Sequence, residues 1–174
     1  MFCVFRDVDL RIAAGELVTM IGHSGCGKST LLNIIAGFED PSSGVVILDG
    51  KEVTDPSLDR MIVFQSFALM PWLLTFDNVR LAIRSANPAW SKLHVAEHTQ
   101  KYIDMMGLSG AERKKPVLLS GGMQQRVGLA RAFAVMTKVL LLDEPFAQID
   151  ALTRGVIQKE LVRMWTAMQI RSSW

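Results

Sequence analysis

One glycine-rich stretch constrains the fold of this chain more than any other feature of the sequence. It consists of Gly22, His23, Ser24, Gly25, Cys26, Gly27, Lys28, Ser29 and Thr30. The apolar run 17–21 precedes it, and residues 31–37 follow with an apolar pattern that ends on a glycine. Strand, glycine-rich turn and helix in this order are the setting of a phosphate-binding loop, or P-loop.

The residue types in this loop suit a bound phosphate chain. Glycines allow the backbone to curl so that successive N–H groups point inward at an anion, and a helix beginning near Lys28 adds its positive end there. Lys28 can then reach the β- and γ-phosphates, and the Ser29 hydroxyl is placed to ligate Mg²⁺. We predict that the chain binds a nucleoside triphosphate or descends from one that did. A turn without a ligand is the disfavoured alternative.

Composition narrows the class of protein further. The 174 residues suit one domain, and an apolar content of 49% argues against a disordered chain. A net charge of +2 is too small to indicate nucleic acid or an anionic membrane surface as the main partner. A disulfide between Cys3 and Cys26 would burden the P-loop, so a reducing cytosol is expected. The sequence shows neither a signal peptide nor a spanning segment, so any membrane link is expected through a partner.

The remaining pattern predicts an α/β fold. Residues 8–12, 17–21, 45–48, 61–64 and 139–142 have the apolar patterns expected of strands. From about residue 66 to 118 the spacing of apolar residues is helical instead, and a further helix is expected from Thr153 onward.

Two carboxylates follow the apolar run 139–142. A buried parallel strand is a continuous apolar run, and ligands bind at its C-terminal end. Asp143 is therefore the natural partner of Mg²⁺, and Glu144 is placed to polarise a water for attack on the γ-phosphate. The alternative is a strand that ends in a solvated acidic turn.

Residues 119–126 predict a second anion-binding helix start. Ser120 can cap a helix, and Gly121 and Gly122 in its first turn leave backbone N–H groups open to an anion. One P-loop has no need of a second such site in the same chain. The need arises if the second site faces the nucleotide of another subunit.

Four motifs together resemble the ATPase subunit of an ABC transporter, in family order and over almost the whole chain. They are residues 22–29, Gln65, residues 119–126 and residues 139–145. The resemblance implies an α/β P-loop NTPase core with a mostly parallel sheet, formed by 1–65 and 119–174. A helical subdomain, 66–118, would be inserted into this single domain.

The resemblance also implies roles for individual residues. Gln65 would sense Mg²⁺ and water, and Glu144 would be the catalytic base for ATP hydrolysis. Asp150 would lie in a loop that contacts the opposite subunit. The ATP held by a second copy would be bound by the signature residues Ser120, Gly121, Gly122 and Gln124.

The partners implied are those of a bacterial importer. The surface that includes Phe67 and Trp72 would dock transmembrane permease subunits, with a second ATPase subunit (identical or not) and a periplasmic or lipid-anchored solute-binding protein in the complex. The chain would be peripheral, at the cytoplasmic face of the inner membrane. Within the family, the sequence at residues 54–56, 59–65 and 69–73 resembles that of bacterial importers for nitrate, nitrite or cyanate. Taurine and alkanesulfonate importers are the neighbouring alternative.

The sequence departs from the family in ways that keep alternatives open. The three histidines, His23, His94 and His98, all precede the signature, so the histidine that contacts the γ-phosphate is absent. The aromatic residue that stacks on adenine would fall before Met1. We therefore expect a chain truncated at both ends, with a nucleotide-binding fragment that does not hydrolyse ATP as one alternative. An ABC-type protein acting on nucleic acid or ribosomes is another.

One further motif matches a metal site. His94 and His98 lie in an H-x-x-E-H pattern, and histidines four apart share a helix face. No third ligand is evident nearby, so a solvated polar helix face is the preferred interpretation.

Overall fold

The computed structural model describes residues 4–64, 68–146 and 150–171, and nine elements of regular α or β structure are defined in these ranges. In chain order they are α1 (Lys28–Ala36), β1 (Ile47–Leu48), β2 (Lys51–Glu52), β3 (Arg60–Val63), α2 (Thr75–Ala86), α3 (Lys92–Met105), α4 (Gly121–Val135), β4 (Val139–Leu142) and α5 (Ala151–Arg171). A short 3₁₀ turn, Pro116–Leu118, precedes α4. Of the described helices, including α5, none is both long and apolar enough to cross a bilayer.

The parallel pair of β3 and β4 forms the centre of the fold. Arg60 pairs with Val139 and Val63 with Leu142, and the Asp143 N–H extends the ladder by donating to the Val63 carbonyl at 3.0 Å. Both strands therefore end at the same edge. The strand predicted at 139–142 is confirmed, and the one predicted at 61–64 is confirmed one residue earlier.

The strand predictions nearer the N-terminus are wrong. Residues 8–12 and 17–21 are not in a strand, and the expected strand 45–48 is reduced to β1, which forms a hairpin with β2 across Asp49 and Gly50. A strand requires a hydrogen-bonded neighbour, which sequence alternation cannot supply. Apolar side chains of these segments are instead exposed, as Leu17 and Ile21 are, at 57% and 94%.

Helices α2, α3 and α4 pack together over the larger hydrophobic core. They bury Val79, Ile83, Ile103, Leu108, Val127, Leu129 and Phe133. A smaller cluster, of Leu32 and Ala36 with Leu141, packs α1 on the strand pair. The predicted boundary at residue 118 leaves α4 outside the insertion, although α4 shares its core with α2 and α3. The division into a core and an inserted subdomain stays a prediction.

The two histidines of α3 belong to a row of rings. Trp90 contacts His94 and His98 edge-on, at centroid distances of 4.3 Å and 5.1 Å, and His98 also contacts Tyr102. His98 Nε2 lies 3.1 Å from the Ala134 carbonyl oxygen, near the end of α4. No group of three His, Cys, Asp or Glu side chains suited to a metal ion occurs within the described ranges.

The position of His98 makes stability depend on pH. Burial lowers the pKa of His98 from its ordinary 6.5, the charges of Lys101 and His94 lower it further, and the hydrogen bond to Ala134 partly opposes them. A lowered pKa disfavours the proton in the folded state. Neutral His98 therefore contributes its full stabilisation above the pKa that it has in the unfolded chain. This contribution is lost as the pH falls through the lower pKa that it has in the folded protein.

We expect the urea midpoint of unfolding to be lower at about pH 5.5 than at about pH 7.5. His98→Gln retains a hydrogen-bond donor but cannot titrate, so its midpoint should change less between the two pH values. An equal change in the His98→Gln protein would contradict this assignment.

Candidate nucleotide site

The P-loop is set by two glycines with left-handed backbones. Gly25 and Gly27 have φ of 79° and 97°, and α1 begins immediately afterwards at Lys28, as predicted. A Cβ on Gly27 would lie 2.6 Å from Val4 Cγ1 and 2.9 Å from Phe5 Cδ1. Position 27 therefore requires glycine for its conformation and for the close approach of the N-terminal segment.

Lys28 turns back over the loop that precedes it. Its Nζ donates to the carbonyl oxygens of Gly22 and His23, each at 2.9 Å, and lies 3.7 Å from Cys26 Sγ. The ammonium group is thus held against the backbone of the loop. The Ser29 side chain beside it is exposed. The loop can therefore offer a cation, a hydroxyl and the start of a helix to a phosphate.

The two carboxylates occupy different environments at the end of β4. Asp143 is half-buried and continues the ladder, whereas Glu144 is exposed and has a left-handed backbone, with φ of 48°. Buried Gln125 of α4 donates from Nε2 to the Glu144 carbonyl at 3.4 Å. This contact connects the helix that follows the signature with the backbone of the candidate base. Gln125 was not predicted from the sequence, because the pattern gives no signal beyond an amide on an apolar helix.

The predicted cap of the signature helix is confirmed. Ser120 has an extended backbone, and its Oγ accepts from the Met123 N–H at 3.3 Å. Gln124, predicted to face a second nucleotide, donates from Nε2 to the carbonyls of Pro116 and Leu119 at 3.0 Å and 3.2 Å. The Gln124 amide thus holds the turn before α4, while Gly121 and Gly122 occupy the first helical turn.

Some predicted site residues lie at or beyond the edges of the described ranges. Gln65 and Phe67 lie outside the described residues. Asp150 is exposed at the start of α5, where its carbonyl accepts from the Arg154 N–H at 2.8 Å.

The loop before α2, residues 68–74, is held by a residue that was not predicted from the sequence. Asn78 of α2 accepts from the Met70 N–H at 2.9 Å, and its Nδ2 donates to the carbonyls of Met70, Leu73 and Leu74 at 3.1–3.3 Å. Its side chain is 2% exposed, whereas Trp72 in the loop is 67% exposed. The sequence signal that could have identified Asn78 is an amide beside Val79, on the apolar face of α2. The loop therefore presents an exposed aromatic ring on a fixed backbone.

Asn78→Ala is expected to lower the free energy of unfolding by about 2–3 kcal/mol, because the substitution removes the partner of the half-buried Met70 N–H and Leu73 carbonyl. The matched control is Asn87→Ala. The half-buried Asn87 amide donates to the Ile83 carbonyl of its own helix at 3.2 Å. Its loss should cost less than about 1 kcal/mol in urea unfolding. Equal losses in the two variants would contradict the special role of Asn78.

The comparisons with known proteins agree with this geometry. Residues 5–147 match the family model described as ABC transporter. The chain is 45% identical to the nitrate import ATP-binding protein NrtD of Synechococcus elongatus, over 94% of this chain and 60% of that protein. It is 46% identical to the bicarbonate transport ATP-binding protein CmpD of the same organism, over 94% and 59%. The chain thus spans about 60% of the length of these relatives.

A solved structure with the same fold is that of the ATP-binding cassette MJ0796, a dimer in a post-hydrolysis state bound to ADP and Pi. The TM-score is 0.85 and the identity 34%, over 93% of this chain and 75% of that one. Together with the family match, this confirms an α/β P-loop NTPase fold of the ABC type. The chain belongs to the ABC transporter family.

Proposed function

We propose that this chain is the ATP-binding and ATP-hydrolysing part of an importer for a small anion. The observation that carries the proposal is the Lys28 ammonium group, held at 2.9 Å from two P-loop carbonyls at the start of α1. A fixed cation at a helix N-terminus suits a phosphate chain. The relatives named for nitrate import and bicarbonate transport supply the expectation of an importer.

The proposed chemistry divides between the loop and the acidic pair. Residues 22–30 would bind the phosphates, with Lys28 at the β- and γ-phosphates. Ser29 and Asp143 fit Mg²⁺, which prefers a few hard oxygen ligands together with phosphates and water over a protein cage. Bound Mg²⁺ would neutralise charge on the phosphates. Glu144, exposed at the end of β4, would polarise the attacking water, with Gln65 sensing that water and the metal.

The second anion site supports a pair of subunits. Ser120, Gly121 and Gly122 would bind the γ-phosphate held by the other copy, while Gln124 would support them by fixing the turn before α4. Asp150 would contact the opposite subunit. Such an interface is isologous, because each subunit would contribute a P-loop to one site and a signature to the other. The similar cassette MJ0796 is itself dimeric in its solved structure.

The proposed solute class is a planar, singly charged oxyanion. Nitrate and bicarbonate share that shape and charge, and the identities to the two relatives, 45% and 46%, do not separate them. We propose nitrate or nitrite first, from the residues around the loop 68–74. The exposed Trp72 would dock the permease subunits from the cytoplasmic face of the inner membrane, with a solute-binding protein completing the complex.

Two measurements test the proposal. Isothermal titration should detect ATP binding to the purified chain in the presence of Mg²⁺, and absence of binding would overturn it. The tagged chain, expressed in its host, should purify with integral membrane proteins. Recovery with ribosomes or nucleic acid instead would favour the alternative of an ABC-type protein that acts there.

A further inference from the structure

A half-buried arginine side chain connects α4, the helix that begins with the signature, with the loop 68–74. Arg131 lies on α4, ten residues after Gly121, which corresponds to about 15 Å along a helix. Its Nη1 donates to the Ala68 carbonyl at 2.7 Å, although the two residues are 63 apart in sequence. Ala68 is the first described residue after Gln65. The connection therefore joins α4 to the loop 68–74, which comes soon after Gln65, the proposed sensor of Mg²⁺ and water.

The geometry at Ala68 indicates a position that is imposed by its surroundings. Ala68 has φ of 42°, in the left-handed region that is unfavourable for a residue with a Cβ. Such a conformation persists where neighbouring contacts hold it. The 2.7 Å hydrogen bond from a guanidinium group is of the strong, charge-assisted type.

A groove of about 320 Å³ lies beside this connection. Its lining includes Phe64 after β3, Ala68 in the loop, and Gly128 and Arg131 on α4. Gly128 has no side chain to fill the space one turn before Arg131. The guanidinium group thus reaches Ala68 beside open space. Burial also lowers the pKa of Arg131, in agreement with its partly enclosed position.

The loop beyond Ala68 can transmit a displacement. Asn78 fixes the backbone at Met70, Leu73 and Leu74, so Ala68 and the exposed Trp72 are connected through a short, hydrogen-bonded stretch. At the other end of α4, Ser120 caps the helix at the proposed second nucleotide site. A helix is stiff over this length, so its two ends move together.

We propose that Arg131 is a positioning residue that holds the loop after Gln65 on the signature helix and passes nucleotide-dependent movement of α4 to Trp72. Arg131 touches neither nucleotide nor permease in this scheme. It acts through Ala68 on one side and through α4 on the other. The transmission of movement to Trp72 rests on the proposed ATP-binding function. The anchoring of the loop by Arg131 does not depend on that function.

Hydrogen exchange of the 174-residue chain tests the anchor. The Met70 and Leu73 amides, bonded to Asn78 Oδ1 and to the Met70 carbonyl, report on the loop. Arg131→Met keeps the length but removes the donors, and it should raise their exchange rates about tenfold or more. Arg131→Lys, which keeps a charged donor, should raise them less. The amides of α3 should stay within about twofold of the unmodified chain.

The matched control is Arg84→Met, on the exposed side of α2, which should leave loop exchange unchanged. Unchanged exchange at Met70 and Leu73 in Arg131→Met would overturn the proposal. An equal rise in α3 would also overturn it, because it would show a general loss of stability.

Tryptophan fluorescence tests the transmission. With Trp90, Trp165 and Trp174 changed to Phe, Trp72 is the single tryptophan, and its quenching by acrylamide should change when ATP and Mg²⁺ are added. Arg131→Met should lose most of this change while its ATP affinity, measured by titration, stays within about threefold of that of the parent protein.

The outcomes separate the two hypotheses. ATP binding with no response at Trp72, or with the same response in Arg131→Met, would overturn the transmission and leave the proposed function intact. Failure of the parent protein to bind ATP would overturn the proposed function together with the transmission. The exchange experiment would still test whether Arg131 anchors the loop.

Discussion

Replacing Lys28 with alanine is expected to weaken ATP binding by about a hundredfold or more. The ammonium group has three donors, two of which bond the P-loop carbonyls, so it would give at least one charge-assisted hydrogen bond to a phosphate oxygen, worth about 1.5–3 kcal/mol, and its charge would attract the phosphate chain as a whole. In the structure the same group is held at 2.9 Å from the carbonyls of Gly22 and His23, so it is already in place. Little side-chain entropy is then lost on binding. Isothermal titration with ATP and Mg²⁺ measures the effect.

Two further variants sharpen this test. Lys92→Ala removes an exposed lysine from the first turn of α3 and should leave the affinity unchanged. Lys28→Arg keeps the charge but places a larger, planar group where two carbonyls receive a compact one, so it should restore only part of the affinity. Wild-type affinity in the Lys28→Ala protein would show that the nucleotide binds elsewhere.

Replacing Glu144 with glutamine is expected to lower ATP turnover by about 10²–10⁴-fold while binding is retained. Glutamine has nearly the same shape, but it cannot accept a proton from the attacking water. The contact from Gln125 reaches the Glu144 backbone carbonyl, so the substitution leaves it in place. Turnover is measured as phosphate release under saturating ATP, and affinity by titration.

The control for this prediction is Glu97→Gln, which removes an exposed carboxylate from α3 and should leave turnover unchanged. If Glu144→Gln hydrolyses ATP at the parent rate, another group must be the base. If the parent chain binds ATP tightly without turnover, the alternative of a nucleotide-binding fragment is favoured.

Much of the candidate site could be predicted because its signals are local. Gly27 before Lys28, Ser120 before α4 and the carboxylates after β4 each depend on residues within about one helical turn or on a strand end. A capping oxygen finds its amide three residues away wherever the helix lies in the fold. For this reason the starts of α1 and α4 and the extent of β4 were predicted correctly.

The wrong predictions concern groups whose partners are remote in sequence. Residues 8–12 alternate as strands do and residues 17–21 are a continuous apolar run, but neither pattern supplies the neighbouring strand that a ladder needs. Gln124 was assigned to a second nucleotide from its motif, and that role stays a prediction; in this structure its amide donates to the carbonyls of Pro116 and Leu119. A motif gives the residue type, and the surrounding backbone decides which atoms it reaches.

The sequence by itself determined the phosphate loop, the acidic pair, the signature cap and, through their order, the family. Tertiary structure alone decided that Asn78 would hold the loop 68–74, that Gln125 would reach Glu144, and that Arg131 would bind the Ala68 carbonyl. The physical reason is the separation in sequence between the residues that interact. Caps and loops close over a few residues, whereas the Arg131 contact joins residues 63 apart, which are brought together only when α2, α3 and α4 pack around their common core.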